Sequence, residues 1–217
     1  MQAVPRDRFG GIVLCGGKSE RMGRPKLLLP FGDETMLARV VRIVGQVVSP
    51  VVVVAACGQA LPELPSGTLV TADEVEDRGP LAGLAAGMKA LPERVEAVYA
   101  SSCDVPLLKA EFVRAMVEAL GEHELAVPRD GTHFHPLSGA YRTSLMTRVG
   151  RMVAERRLRS QLLVQESDAR IVDVAELRAV DLSLGSLFNI NTPDDYQQAL
   201  VAAGLTADGG PPEPSRV

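Results

Sequence analysis

The run Val51–Ala56 reads Val-Val-Val-Val-Ala-Ala and has no polar face. A half-buried strand alternates apolar and polar residues, so a run without alternation needs cover on both sides. It reads as an interior strand of a parallel sheet. Pro50 breaks the chain just before it. Upstream, between Thr35 and Val48, the positions Met36, Leu37, Val40, Val41, Val44, Val47 and Val48 trace one helical stripe. The rest of the chain repeats this alternation. Strands are expected at Gly11–Leu14, Thr68–Thr71, Val95–Ser101 and Leu125–Pro128. Helices are expected from near Pro80, over Leu108–Leu120, Thr143–Glu155 and Ser160–Gln165, and through Gln197–Ala203. After the Asp130-Gly131 turn, His133–Tyr141 reads as an extended excursion, and Asn189–Thr192 is extended as well. The expected fold is α/β: a Rossmann-like, doubly wound, mostly parallel sheet in a three-layer α/β/α sandwich with right-handed crossovers.

A chain of 217 residues holds one such domain, expected over 1–205, with a Gly/Pro-rich tail from 206 to 217 expected to lack structure. Aromatics are 4% of a composition that is 46% hydrophobic, so Val, Leu and Ala must fill the core. The net charge of −4 excludes a general attraction to nucleic acid or to an anionic membrane; an anionic ligand would be held by a few local cations. Cys15, Cys57 and Cys103 are scattered and form no zinc-type set, so they read as reduced, packed thiols. The N-terminus has no basic segment followed by an apolar run, and no stretch approaches a membrane span, which predicts a soluble, cytoplasmic protein.

Four motifs carry chemistry. Leu14-Cys15-Gly16-Gly17-Lys18-Ser19-Glu20-Arg21-Met22-Gly23-Arg24-Pro25-Lys26 follows the first strand directly. Its glycines let amide N–H groups approach a phosphate, while Arg21 offers a planar fork and Lys26 a point charge. It is neither a Walker A loop, because Ile12 stands where that motif needs glycine, nor a G-x-G-x-x-G fingerprint, because the glycines are adjacent. Asp104, in Cys103-Asp104-Val105-Pro106, sits beyond the carboxyl end of a strand, where ligands of open α/β sheets collect. One hard carboxylate facing a triphosphate suits Mg²⁺; a turn aspartate bonded to its own backbone is the alternative. Asp73 is followed by Arg78-Gly79-Pro80-Leu81-Ala82-Gly83, either a helix N-terminus offering amides to a base or anion, or a tight helix–strand packing contact. In Asn189-Ile190-Asn191-Thr192-Pro193-Asp194-Asp195 the two asparagines share one side of an extended segment, and Thr192, Pro193 and Asp195 form a helix cap. His133 and His135 could share a strand face but make weak evidence for a metal. Arg156-Arg157-Leu158-Arg159 reads as a solvated basic helix face that could alternatively meet an anionic acceptor.

Taken together, these motifs resemble the molybdenum cofactor guanylyltransferases, in order and approximate spacing over residues 9–200. The opening motif alone is common to the wider nucleotidyltransferase superfamily; Gly79–Gly83 and the late Asn-x-Asn narrow it. The resemblance implies a nucleotide half over about 9–105 and an acceptor half over about 106–203. It implies GTP and molybdopterin as substrates, Mg²⁺ as cofactor and apo-molybdoenzymes as recipients of the product. Leu14, Gly16, Gly17 and Lys26 would contact the nucleotide, with Arg21 near its phosphates. Asp73 and Gly79, Pro80, Leu81, Ala82 and Gly83 would face guanosine, Asp104 would hold the metal, and Asn189 and Asn191 would lie in the acceptor half. Arg21, Lys26 and Asp104 are the expected catalytic set. One departure is Ala55, where some members carry Asn at the end of the second strand. Residues 22–32 also resemble the related cytidylyltransferases, so CTP remains an alternative donor, and a non-catalytic cofactor carrier is a further alternative.

Overall fold

The structure, a computed structural model, describes residues 8–15, 25–73, 79–206 and 209–210. Strand β1 (Phe9–Leu14) is followed, across the glycine-rich segment, by a short hairpin of β2 (Pro30–Phe31) and β3 (Glu34–Thr35) that opens helix α1 (Met36–Gly45). Then come β4 (Val51–Ala56), β5 (Leu69–Asp73), α2 (Gly79–Ala90), β6 (Ala97–Ser102), α3 (Ala110–Leu120) and β7 (Leu125–Asp130). The remainder is β8 (His133–Phe134), β9 (Ser138–Arg142), α4 (Met146–Ala154), α5 (Ser160–Gln165), β10 (Ala169–Asp173), α6 (Val174–Leu177) and α7 (Pro193–Ala202).

The main sheet runs β10-β7-β9-β6-β1-β4-β5, with β8 beside β7. β1 is parallel to both of its neighbours, β4 and β6. The chain therefore leaves β1 toward β5 on one side and later returns to β6 on the other. That reversal of winding opens a crevice beyond the carboxyl ends of β1 and β6. β9 runs antiparallel to β6 and β7, while β10 is parallel to β7.

Two apolar layers follow from the period-two geometry of the strands. Val13, Val51, Val53 and Tyr99 turn to one face, under Val40, Val44, Phe112 and Met116 of α1 and α3. Ile12, Val52, Val54 and Val98 turn to the other, under Leu84, Met88, Val149 and Leu163 of α2, α4 and α5. This is why Val51–Ala56 needs no polar residue. In α1 the Thr35 hydroxyl caps the first turn by accepting from the Ala38 N–H at 3.3 Å. A cap is worth about 1 kcal/mol, whereas Leu37, Val40 and Val44, all fully buried, contribute roughly 1.5–3 kcal/mol each. Packing, and not the cap, holds this helix. α2 approaches β1 closely because Gly83 and Gly87 face it: a Cβ on Gly87 would stand 2.6 Å from Ile12 Cγ2, and one on Gly83 3.0 Å from Leu14 Cδ2. A third apolar cluster joins Leu29, Phe31 and Met36 to Ile190, Tyr196, Ala199 and Leu200, tying α7 to the β2–β3 hairpin.

The expected three-layer α/β fold is the one observed. Two readings need correction. Cys57 is exposed in the turn after β4, and only Cys15 and Cys103 are packed thiols. Arg156–Arg159 is not a helix face but the connection between α4 and α5. Near the end of the described residues the Gly209 carbonyl accepts from the Gly32 N–H at 2.6 Å and the Gly210 carbonyl from the Thr206 N–H at 3.0 Å; residues 207–208 and 211–217 of the tail lie outside the described residues. Among the described residues, no helix is long and apolar enough to cross a membrane.

Candidate active site

Lys26 opens a short 3₁₀ turn, Lys26–Leu28, behind Pro25. Leu27 is buried in the α1–α3 layer and Leu29 in the third cluster, and these anchors fix where the lysine projects. Its ammonium donates to Asn191 Oδ1 at 3.0 Å and lies 3.4 Å from Asp104 Oδ2. Asp104 follows β6 directly, at the crevice where the winding reverses. Its Oδ1 accepts from the Ser102 hydroxyl at 2.5 Å and from Asn189 Nδ2 at 3.2 Å. Lysine and carboxylate are 17% and 14% exposed, so both remain within reach of a ligand.

The asparagine pair is set by the residue between them. Ile190 is fully buried in the third cluster, and its N–H donates to the Asp104 carbonyl at 2.9 Å. With Ile190 turned inward, period-two geometry turns Asn189 and Asn191 outward toward Asp104 and Lys26. The Asp195 carboxylate accepts from the N–H groups of Asn191 and Thr192 at 2.9 and 2.8 Å, and the Thr192 hydroxyl accepts from the Asp195 N–H at 3.1 Å. This capping box holds the Asp195 carboxyl below its ordinary value, chiefly through the Asn191 N–H. The asparagines open onto a cavity of about 660 Å³ whose lining also includes Pro80, His135, Arg159 and Ser160.

The Cys103 thiol beside the site is not available as a soft ligand. The Cys103 thiol is held well above its ordinary range by its hydrogen bond with Cys15, by burial and by the adjacent Asp104 carboxylate. A protonated, buried thiol is a poor metal ligand. Among the described residues, no group of three or more His, Cys, Asp or Glu side chains could hold a metal. Among the described residues, what the crevice offers is the Asp104 carboxylate with oxygen-bearing neighbours. That is the donor chemistry of a hard cation completed by substrate phosphate oxygens.

Residues 11–170 match the family described as the MobA-like NTP transferase domain. This chain belongs to that family. A Mycobacterium avium (strain 104) relative named "Probable molybdenum cofactor guanylyltransferase" is 38% identical over 196 residues, 88% of this chain and 94% of the relative. Among solved structures, molybdopterin-guanine dinucleotide biosynthesis protein A from Archaeoglobus fulgidus superposes with a TM-score of 0.73 at 20% identity, over 90% of this chain and 98% of that one. Rv0371c from Mycobacterium tuberculosis H37Rv, in a complex with manganese, gives 0.63 at 19% identity, over 90% and 99%. At these identities the two structures speak to the fold.

In this MobA-like chain, Lys26, Asp104, Asn189 and Asn191 converge, and Pro80 joins the two asparagines in lining the cavity. Leu14 and Gly83 meet each other in the β1–α2 contact, and Leu81 and Ala82 are buried there. Gly79–Gly83 is thus the first turn of α2 and not a loop, and the side chains of Leu81 and Ala82 serve packing. Any contact these residues make with a base would come from the main chain. Gly79 is exposed with φ +67°. Asp73 ends β5, opposite Ala56, two strands from β1. Gly16, Gly17 and Arg21 lie outside the described residues. Ala55, the departure noted above, is buried in β4.

Four supporting residues, Gln59, Lys109, Asp181 and Ser186, had no signal in the sequence. Gln59 accepts from the Ala56 N–H at 2.9 Å and donates to the Cys15 carbonyl at 3.2 Å, clamping the ends of β4 and β1. Asp181 has a fully buried side chain; it accepts from the Ser186 N–H at 2.8 Å and pairs with Lys109 Nζ at 2.9 Å. The Lys109 N–H in turn donates to Ser186 Oγ at 3.1 Å. The segment leading to Asn189 is thereby pinned to the start of α3. Burial pushes the Asp181 carboxyl up, but the Ser186 N–H and the Lys109 ammonium outweigh it and hold the carboxyl below its ordinary value.

Proposed function

We propose that this chain transfers GMP from GTP to the terminal phosphate of molybdopterin, releasing pyrophosphate and forming the guanine dinucleotide. The observation that carries this reading is the convergence of Lys26, Asp104, Asn189 and Asn191 beside a cavity large enough for the acceptor. The name of the 38% identical relative supports the same donor and acceptor.

The acceptor's phosphate is anionic near neutral pH and can attack the α-phosphorus in line, so no general base is required. A Ser-His-Asp set or a carboxylate pair is therefore not needed. Lys26 binds and neutralises phosphate oxygens as charge shifts to the leaving pyrophosphate, and Arg21 would share this role. Asn191 holds the Lys26 ammonium and Asn189 holds Asp104, so the two asparagines couple the acceptor side of the cleft to the charged pair. Asp104 would hold Mg²⁺, which when bound supplies charge stabilisation to the phosphates. Pro80, in the first turn of α2, lines the acceptor cavity and brings that turn to the acceptor.

The test is a base competition. Protein, Mg²⁺, molybdopterin and equal GTP and CTP are mixed, and the dinucleotide is identified by mass spectrometry. A guanine dinucleotide with stoichiometric pyrophosphate is the expected result. A cytosine product would overturn the donor, and no product with either nucleotide would overturn the acceptor.

A further inference from the structure

We propose that His135 sets acceptor specificity, its imidazole hydrogen-bonding the pyrimidinone edge of the acceptor's pterin from the wall of the 660 Å³ cavity. This deepens the guanylyl-transfer reading and rests on it. His135 is fixed through its backbone: its N–H donates to the Pro128 carbonyl at 2.9 Å, and its carbonyl accepts from the Ser138 N–H at 3.1 Å. The ring stands edge-on to that of His133, with centroids 4.8 Å apart at 83°. It is half-buried, and among the described residues neither ring nitrogen has a hydrogen-bond partner. A polar group partly removed from water without a partner is unfavourable, and a ligand that pairs it gains what the empty site lacks.

The cavity's other polar groups sort by charge. Asn189 and Asn191 are turned to Asp104 and Lys26. Arg159 is a cation, suited to the acceptor's phosphate. Thr132, His133 and Gln161 on the same lining are exposed, whereas the His135 ring is half-buried and the Ser160 hydroxyl is buried and unbonded. Burial and the neighbouring His133 hold the His135 ring below its ordinary pKa against the pull of Asp130, so it is neutral at pH 7. A neutral imidazole has one donor and one acceptor nitrogen. Either can serve a pyrimidinone, as donor to its carbonyl or acceptor from its ring N–H, with no charge to bury. His135 and Leu187 also line a neighbouring cavity of about 400 Å³.

The test compares His135→Phe, which keeps a ring without hydrogen bonding, with His135→Gln, which keeps hydrogen bonding without the ring. Steady-state kinetics with GTP and molybdopterin are read beside equilibrium binding of a free pterin, followed by its fluorescence in the absence of GTP. His135→Phe is expected to raise the acceptor KM and the pterin Kd about tenfold, the size of one neutral hydrogen bond. The KM for GTP and kcat should stay within about twofold, and His135→Gln should recover most of the loss. Should the phenylalanine variant not fold, His135→Leu removes the same hydrogen bond. Unchanged acceptor KM and pterin Kd, or an equal loss in the Phe and Gln variants, overturns the proposal. Absence of a dinucleotide product from the wild-type chain would instead overturn the transfer reading, and the pterin-binding arm reads His135 independently of it.

Discussion

Exchanging Lys109 for methionine should damage this protein more than exchanging its buried partner Asp181 for asparagine. The asymmetry comes from exposure: the Lys109 side chain is 45% exposed and that of Asp181 is 0%. When Asp181→Asn removes the anion, the lysine returns to water, and what is lost is a charge-assisted pair of about 1.5–3 kcal/mol. When Lys109→Met removes the cation, the carboxylate stays buried with the Ser186 N–H and the Ser183 hydroxyl as its remaining partners. Stranding a buried charge destabilises by several kcal/mol. Protonation sets a ceiling: neutralising a carboxyl of ordinary pKa at pH 7 takes about 4 kcal/mol. We expect about 3–4 kcal/mol for Lys109→Met by urea unfolding at pH 7. Adding Asp181→Asn to that variant should restore about 1–2 kcal/mol, because it removes the stranded charge. The pH dependence follows from the direction of the shift. In the wild type the Asp181 carboxyl is held below its ordinary value, so its contribution is complete above the unfolded pKa and lost as pH falls through the lower folded one. In Lys109→Met the folded pKa lies above the unfolded one, and the deficit shrinks as pH falls from 7 toward 4. A double variant less stable than Lys109→Met, or a deficit that does not shrink at pH 5, would falsify the desolvation reasoning.

Lys26→Ala should lower kcat by about two to three orders of magnitude, or roughly 2–4 kcal/mol of transition-state stabilisation; a loss under tenfold in pyrophosphate release would remove it from the catalytic set. Asp104→Ala should abolish Mg²⁺-dependent turnover while the circular dichroism spectrum is kept, and near-normal turnover would sink its role. Gly87→Ala sets a helix-propensity gain of about 1 kcal/mol against overpacking of about 1–3 kcal/mol. With a Cβ 2.6 Å from the fully buried Ile12, overpacking prevails, and thermal unfolding should show net destabilisation that Ile12→Val partly relieves.

Local pattern revealed those parts of the molecule whose environment is uniform. Val51–Ala56 is covered on both faces and reads as such, and the α1 stripe marks one buried side. β10 escaped because it is an edge strand: Ala-Arg-Ile-Val-Asp is largely half-exposed and carries charges. Val95 reads as strand but is buried in a turn, its N–H donating to the Pro92 carbonyl before β6 begins. In the site, the Asn189–Asn191 spacing showed a shared side, but nothing local showed that side to face Lys26. Asp181 in Asp-Leu-Ser-Leu-Gly-Ser has the composition of a surface turn; its burial depends on Lys109 and Ser186, which only the folded chain brings to it.

The third apolar cluster also orders events in time. Lys26 and Asn191 are separated by 165 positions, and the same span divides the hairpin carrying Leu29, Phe31 and Met36 from the helix that covers it. At the roughly 5–20 residues per second of synthesis, the hairpin waits about ten to thirty seconds for α7. Residues 9–105 emerge in that interval, but Lys26 has no asparagine to meet and the hairpin no roof. Covering the hairpin with α7 is the same event that delivers the amides of Asn189 and Asn191, so a nascent chain acquires its finished surface and its complete charged cluster together.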